Sequence, residues 1–247
     1  MTALLQVDGL CKRYERFALT NVGFEVKAGR IVGLVGKNGA GKTTALKCLL
    51  HFLEPDAGRV QVLGQDFFAN ETALKQRVGA VLGGAEFYPL KRLRTIAAVT
   101  RRFYSCWDEA AYQRCLARFE LDESKRFQEL SSGMKVKYLL TLALSHQARL
   151  FVLDEPTSGL DPVSRAELLE LFRALAKSGA GILFSTHITS DLDRAADDIV
   201  YLRRGQVVKS APKEEFCRAF SKGGSALSLE EILLRAERKE APLELPV

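Results

Sequence analysis

The segment GKNGAGKTT, at residues 36–44, constrains this chain more than any other part of its sequence. It fits the pattern G-x-x-x-x-G-K-[ST], in which glycines let a loop curl so that its N–H groups face phosphate oxygens. The apolar run Ile31–Val35 precedes it, and the apolar-periodic stretch Lys42–Phe52 overlaps its end. A strand, a glycine loop and a helix in this order predict a phosphate-binding α/β domain.

Individual residues of the loop have predicted parts in binding a nucleotide. Lys42 supplies a mobile cation for the β- and γ-phosphates, and the Thr43 hydroxyl completes a Mg²⁺ shell that otherwise keeps waters. The residues of the loop that we predict to bind nucleotide are Gly36, Lys37, Asn38, Gly39, Ala40, Gly41, Lys42, Thr43 and Thr44.

Polar side chains follow two later apolar segments. LFVLDEP ends its apolar run at Asp154 and Glu155, and GILFSTH ends at His187. Because ligands bind at the carboxyl ends of parallel strands, we expect these side chains to face the nucleotide. We predict that Asp154 and Thr43 hold Mg²⁺, that Glu155 points at the attacking water, and that His187 reaches the γ-phosphate.

A second phosphate-binding site, called the second grip below, is predicted at the segment LSSGMKVK, Leu130–Lys137. Ser131 and Ser132 are good N-cap residues, Gly133 is small, and an apolar-periodic run follows. The free N–H groups and dipole of such a helix start attract phosphate. The chain therefore carries two candidate phosphate sites.

Composition narrows the class of protein. The chain has 247 residues, of which 47% are hydrophobic and 27% charged, as expected for one large or two small soluble domains. No apolar run approaches the roughly 18 residues of a membrane span, and the N-terminus lacks the build of a secretion signal. The five cysteines form no CxxC pair. We therefore predict a cytoplasmic protein with reduced thiols, and the net charge of +6 hints weakly at acidic partners.

The pattern of predicted elements changes along the chain. Strands and helices alternate near both ends, whereas residues 72–147 are mostly helical, with Val78–Leu82 as an edge strand. We therefore predict one domain, 1–247, in which an α/β core is interrupted by a helical insertion. The predicted parts are the core at 1–71 and 148–210, the insertion at 72–147, and a helical C-terminal tail at 211–247.

Five motifs together resemble the ATP-binding subunits of ABC transporters. GKNGAGKTT, LSSGM, LFVLDEP, TSGLD and the histidine of FSTH follow the order of that family, from about Leu4 to Gln206. The resemblance implies an α/β fold: a P-loop NTPase core with a mainly parallel sheet, an N-terminal antiparallel β subdomain and a helical insertion. The SGMK form of LSSGM resembles a bacterial, exporter-like subset.

The resemblance also implies partners and roles. Family members form head-to-tail homodimers or heterodimers, in which the second grip of one subunit caps the ATP held by the glycine loop of the other. Ser131, Ser132, Gly133 and Asp161 would then lie at the dimer interface. Glu155 becomes the base or water-orienting residue and His187 the γ-phosphate contact. ATP and Mg²⁺ are the implied ligands.

The adenine contact and the wider partners rest on the resemblance as well. Spacing alone favours an ordinary half-exposed strand aromatic at Tyr14, whereas the resemblance makes Tyr14 the residue that stacks on adenine. A separate transmembrane permease is implied, with this chain peripheral on the inner face of the cell membrane. No nucleic acid partner is expected.

The sequence departs from the family pattern at two places. A glutamine is usual at about Gly83, and its replacement by the nearby Glu86 is one hypothesis. Ser132 stands where glycine is usual. If that position needs a positive φ, serine costs about 1 kcal/mol, and if it is helical, serine costs little.

Two other functions stay open at this point. One is a soluble ABC-type ATPase that drives a non-membrane assembly machine. The other is an ATP-sensing interaction protein without turnover, against which the intact Glu155 and His187 argue.

Overall fold

The computed structural model of the chain describes residues 2–82, 88–220 and 228–238. In this part of the chain the strands are β1 (Ala3–Arg13), β2 (Ala18–Lys27), β3 (Ile31–Val35), β4 (Ala57–Val62), β5 (Gln65–Asp66), β6 (Val78–Val81), β7 (Leu150–Asp154), β8 (Gly181–Thr186), β9 (Asp198–Arg203) and β10 (Gln206–Pro212). The helices are α1 (Lys42–Leu49), α2 (Glu71–Lys75), α3 (Leu93–Thr100), α4 (Glu109–Arg118), α5 (Ser132–Ser145), α6 (Pro162–Lys177), α7 (Thr189–Ala195), α8 (Lys213–Phe220) and α9 (Leu229–Arg238). Among these residues, no helix combines the length and apolar character needed to cross a lipid bilayer.

Six strands form the main sheet, in the order β10-β9-β3-β8-β7-β6. Each neighbouring pair from β9 to β6 is parallel, and only the outer β10 runs antiparallel to β9. The expected mainly parallel core sheet is therefore confirmed. Its strands β3, β7 and β8 are buried along their whole length, which explains their continuous apolar runs.

The second sheet has four strands in the order β2-β1-β4-β5, and every pairing in it is antiparallel. This is the N-terminal antiparallel β subdomain that the family resemblance implied. One core lies between the two sheets and surrounds α1, whose Leu46 and Leu49 are buried there. Residues on the opposite face of the main sheet, such as Phe151 and Phe184, pack with α6 and α7 in a second core.

The helical insertion has a hydrophobic core of its own. Leu93 and Ile96 of α3, Leu116 of α4 and Tyr138 of α5 are buried together in it. The Tyr138 hydroxyl donates a hydrogen bond to the carbonyl of Leu93 at 2.7 Å. Helix α5 also connects this core to the main sheet, because its Leu140 and Ala143 pack with Phe151.

Some predicted boundaries differ from the structure. Strand β6 lies inside the range 72–147 predicted for the insertion, yet it pairs with β7 as the edge of the main sheet. We therefore propose that the insertion begins after β6. The predicted helix Lys42–Phe52 is too long, because His51 has a φ of 58° and α1 ends at Leu49.

The predicted C-terminal tail, 211–247, contains the helices α8 and α9 within the described residues. Its beginning packs on the core, since Phe216 of α8 is fully buried against Tyr201 of β9. Strand β10, which leads into it, was missed because its exposed alternate residues resemble a polar linker.

A small ionic cluster fixes the segment that follows α1. The two ring nitrogens of His51 lie 2.7 Å from a Glu71 carboxylate oxygen and 2.6 Å from one of Glu54. Lys75 pairs with the other Glu71 oxygen. Hydrogen bonds, first to Glu71 and then to Glu54, raise the pKa of His51.

The raised pKa of His51 predicts how stability depends on pH. A histidine whose pKa is higher in the folded than in the unfolded chain stabilises the fold fully below its unfolded pKa of about 6.5. This contribution disappears as the pH rises through the folded pKa. Substitution His51→Asn, which tolerates a positive φ, should therefore lower the free energy of unfolding more at about pH 6 than at about pH 9. Urea titrations at both pH values measure it.

A matched control for this substitution is Gln147→Asn. Gln147 is exposed and also has a positive φ, of 59°, but carries no titrating group. Its effect should be the same at both pH values. An equal effect of His51→Asn at both pH values would contradict the assigned role of the imidazolium.

Candidate functional site

The glycine loop begins where β3 ends, at the carboxyl edge of the main sheet. Glycine is required at Gly36, where a Cβ atom would lie 2.2 Å from the carbonyl oxygen of Leu202. It is required again at Gly41, whose φ is 107°. Gly41 caps α1 without any side-chain hydrogen bond, so the first N–H groups of this helix are available to a phosphate.

Lys42 is the first residue of α1 and is 5% exposed. Its ammonium donates a hydrogen bond to the carbonyl oxygen of Gly36 at 2.7 Å and lies 3.3 Å from Glu155 Oε1. A buried cation next to uncapped N–H groups gives the loop a strongly positive interior. Phosphate oxygens bound there would compete with Glu155 for the Lys42 ammonium.

Thr43 and Asp154 lie together, as the sequence predicted for a metal pair. The Thr43 hydroxyl donates to Asp154 Oδ2 at 2.8 Å. One hydroxyl and one carboxylate oxygen at a phosphate site match the hard oxygen ligands that Mg²⁺ takes while keeping several waters. The donor set therefore fits Mg²⁺.

Glu155 and His187 meet at the same edge. His187 Nδ1 lies 2.8 Å from Glu155 Oε2, and the carboxylate thus connects the imidazole to Lys42 through its other oxygen. The backbone of Glu155 has a φ of 47°, which is uncommon for a residue with a side chain. Such a conformation persists only where the surroundings hold it.

Ser185 is a site residue that the sequence analysis missed. Its hydroxyl donates to Asp154 Oδ1 at 2.6 Å and accepts a hydrogen bond from the N–H of Glu155 at 2.9 Å. Asp154 and Ser185 are register partners on neighbouring strands, which brings their side chains together. A serine among apolar residues, two positions before His187, was the available signal.

Tyr14 lies near the glycine loop and is 47% exposed. Its ring centroid is 6.4 Å from that of Phe17, and Phe17 in turn approaches Gly41 so closely that a Cβ atom there would lie 2.6 Å from it. Stacking on adenine needs an exposed aromatic face beside the phosphate loop, and the role of Tyr14 stays a prediction. Phe17 is a second aromatic residue of this surface, which the sequence analysis did not single out.

The predicted second grip forms the start of α5. Ser131 is its N-cap and accepts a hydrogen bond from the N–H of Met134 at 3.3 Å, and Ser132 is the first helical residue. The helical backbone removes the strain considered for Ser132, since that position does not require a positive φ. Ser131 and Ser132 are exposed, whereas Gly133 is buried beside Leu160.

Asp161 caps α6, next to the second grip. Its carboxylate accepts hydrogen bonds from the N–H groups of Val163 and Ser164, each at 3.0 Å. Hydrogen bonding, first of all from the Ser164 side chain, keeps the pKa of Asp161 below its ordinary value. Gly83, at the place where a glutamine is usual, lies outside the described residues. So does Glu86, the residue considered as its replacement.

Comparison with known proteins accounts for this arrangement. Residues 19–158 match the family model described as ABC transporter. The chain belongs to the ABC transporter family. The match covers more than half of the 247 residues and includes the glycine loop, LSSGM and LFVLDEP. ATP hydrolysis coupled to transport characterises this family, so the chain is an ATPase.

Individual ABC proteins are similar over most of the chain. The bacitracin transport ATP-binding protein BcrA of Bacillus licheniformis is 30% identical over 216 residues, 86% of this chain and 71% of the relative. The Nod factor export ATP-binding protein I of Burkholderia orbicola is 35% identical over 210 residues, 81% of this chain and 68% of the relative. These relatives support a transporter subunit over an ATPase of a non-membrane machine.

The fold comparison agrees. A solved structure, described as the ATP binding subunit of an ABC transporter, superposes with a TM-score of 0.84 and 30% identity. The superposition covers 95% of this chain and 99% of the solved chain. The ABC ATPase fold is therefore confirmed.

The two hydrogen bonds of the Ser185 hydroxyl predict slower ATP hydrolysis when that hydroxyl is removed. Substitution Ser185→Ala leaves Asp154 Oδ1 and the Glu155 N–H without this partner, so both acids lose a positioning contact. We expect kcat for ATP hydrolysis to fall about 10–100-fold, as for other groups that orient metal ligands. The ATP dissociation constant should change far less. Phosphate release and a fluorescent-nucleotide titration measure the two quantities.

The control for Ser185→Ala is Ser178→Ala, at the end of α6. The Ser178 hydroxyl is exposed and donates a hydrogen bond to the carbonyl of Leu175. Because it makes no contact with the acids of the site, its loss should leave kcat unchanged. If Ser185→Ala turned over ATP as fast as Ser178→Ala, the positioning role would be wrong.

Proposed function

We propose that this chain binds MgATP on its glycine loop, pairs head to tail with a second ATPase subunit, and hydrolyses ATP to drive an exporter-type permease. The observation that carries the proposal is the convergence of Lys42, Thr43, Asp154, Glu155 and His187 at one edge of the main sheet. The bonds Thr43–Asp154 and Glu155–His187 connect three separate segments of the chain there. Phosphoryl transfer needs this kind of positioning and charge stabilisation more than covalent chemistry.

Each side chain has a part in the proposed reaction. The uncapped start of α1 and the Lys42 ammonium bind the β- and γ-phosphates and offset their charge. Thr43 and Asp154 would hold Mg²⁺, which neutralises charge on the phosphate oxygens when bound. Glu155 accepts a hydrogen bond from the attacking water, and His187 holds Glu155 in place and contacts the γ-phosphate. Tyr14 stacks on adenine.

The second grip supports the proposed head-to-tail dimer. Ser131 and Ser132 are exposed at the start of α5, and Gly133 packs that helix start against the turn that ends at Asp161. These residues therefore form one surface, able to approach a phosphate held by another subunit. Hydrolysis divides the ligand that joins the two surfaces, so the two subunits separate more easily.

Replacing the carboxylate of Glu155 tests the catalytic proposal. Glu155→Gln keeps the shape of the side chain but cannot accept a proton, so ATP hydrolysis should fall by about 10²–10⁴. The unhydrolysed ATP should hold the chain as a dimer, which size-exclusion chromatography with light scattering detects. The double variant Lys42→Ala/Glu155→Gln is the control and should remain monomeric. Turnover within a few-fold of wild type would contradict the role of Glu155.

An apolar groove supports the proposed permease partner. It has a volume of about 610 Å³ and lies between the end of α1, the edge strand β6 and the helical insertion. Its floor includes a stacked pair, Tyr104 and His146, with ring centroids 3.8 Å apart. Burial lowers the pKa of His146, which favours a neutral ring on the apolar floor.

We propose that an amphipathic cytoplasmic segment of the permease, carrying acidic residues, occupies this groove. Phe52, 58% exposed, offers an apolar face to such a segment. Lys47 also lines the groove, and its charge complements acidic side chains. Two relatives are a bacitracin transport protein and a Nod factor export protein, which supports a membrane partner that exports.

Two substitutions in the groove test this contact. Phe52→Ser removes apolar area and Lys47→Glu reverses a charge, so each should reduce co-purification of a transmembrane permease with this chain. ATP binding by the isolated chain shows that both variants fold. Val208→Ser removes another half-exposed apolar residue, on β10, and should have no effect. Undiminished co-purification of both groove variants would contradict the proposed docking site.

A further inference from the structure

A second hydrogen bond, buried inside the protein, joins the segments that carry Glu155 and His187. Thr157, two residues after Glu155, donates its hydroxyl to Asp191 Oδ2 at 2.6 Å. Asp191 is the third residue of α7, the helix that begins just after His187. Both Thr157 and Asp191 are fully buried.

The buried carboxylate of Asp191 is costly as it stands. Its second oxygen, Oδ1, is buried and has no hydrogen-bond partner in the part of the chain that the structure describes. A buried acceptor without a partner destabilises a protein by about 1–3 kcal/mol, and an apolar pair of the same shape would avoid that penalty. The contact is therefore poorly explained by stability alone.

The loop that Asp191 restrains is a tight one. The N–H of Ser158 donates to the carbonyl of Glu155 at 3.1 Å, and the N–H of Leu160 donates to that of Thr157 at 3.3 Å. Two successive turns thus connect Glu155, with its φ of 47°, to the helix cap Asp161. Thr157 lies at the junction of the two turns, so fixing its hydroxyl limits movement on both sides.

We propose that Asp191 is a positioning residue for ATP hydrolysis, which acts through Thr157. The bond holds the turn after β7 against the start of α7, and so sets the position of Glu155 relative to His187. The same bond also restrains Asp161, which follows the two turns. This inference rests on the catalytic role proposed for Glu155.

A matched pair of substitutions at Thr157 tests the bond. Thr157→Val has nearly the same shape but no hydroxyl, whereas Thr157→Ser keeps the donor. A displacement of reacting groups by about 1 Å costs roughly 10²-fold in rate. We therefore expect Thr157→Val to lower kcat by about 10–100-fold with little change in KM for ATP, and Thr157→Ser to retain most of the activity. Equal kcat values for the two variants would overturn the proposal.

A double substitution separates positioning from stability. In Thr157→Val/Asp191→Leu both polar partners are replaced by apolar ones, which can restore the free energy of unfolding lost by Thr157→Val. The proposal expects kcat to stay low even where the melting temperature recovers. If kcat recovered together with stability, the contact would be merely structural.

A comparison in the Glu155→Gln background identifies the residue through which Thr157 acts. Residues that act as a unit have non-additive effects, so Thr157→Val should slow Glu155→Gln no further. A full additional loss would overturn action through Glu155. The same comparison separates the two proposals. If Glu155→Gln itself retained activity, the catalytic assignment would fail, whereas an inactive Glu155→Gln with a fully active Thr157→Val would refute only the positioning role.

Discussion

Parallel pairing of β3, β8 and β7 is the constraint on which the rest of the structure depends. In this register Val35 pairs with Thr186, and Asp154 pairs with Ser185. The three strands therefore end side by side, and the glycine loop, the acids and His187 emerge at one edge. A register shift of one residue would turn Asp154 to the other face of the sheet and separate it from Thr43.

Buried polar groups accumulate at this edge although the central strands β3, β7 and β8 are mostly apolar. Lys42 and Asp154 are each 5% exposed, and Ser185, Thr157 and Asp191 are fully buried. Burying such groups is unfavourable unless hydrogen bonds compensate them, and here most of the bonds join segments that are distant in the sequence. The arrangement exchanges some stability for a fixed geometry, which suits a reaction governed by positioning.

The helical insertion is connected to the nucleotide edge in a different way. Its helices pack around their own core, and α5 also packs Gly133 against Leu160, beside the turn that Thr157 restrains. The groove proposed for the permease lies where the insertion meets β6 and the end of α1. The groove and the second grip therefore both involve the insertion, so a movement of the insertion would displace both.

Short motifs determined much of this by themselves. GKNGAGKTT defines its own loop, because glycine is the residue that accepts the backbone at Gly36 and Gly41, and the strand Ile31–Val35 and helix Pro162–Lys177 follow from local patterns. Only tertiary structure decided which residues support the site. Ser185 and Asp191 form hydrogen bonds with residues distant in the sequence, and no local pattern shows which partners they reach. Strand order, the helical backbone of Ser132 and the place of β6 likewise depend on pairing and packing between remote segments, which a single sequence does not display.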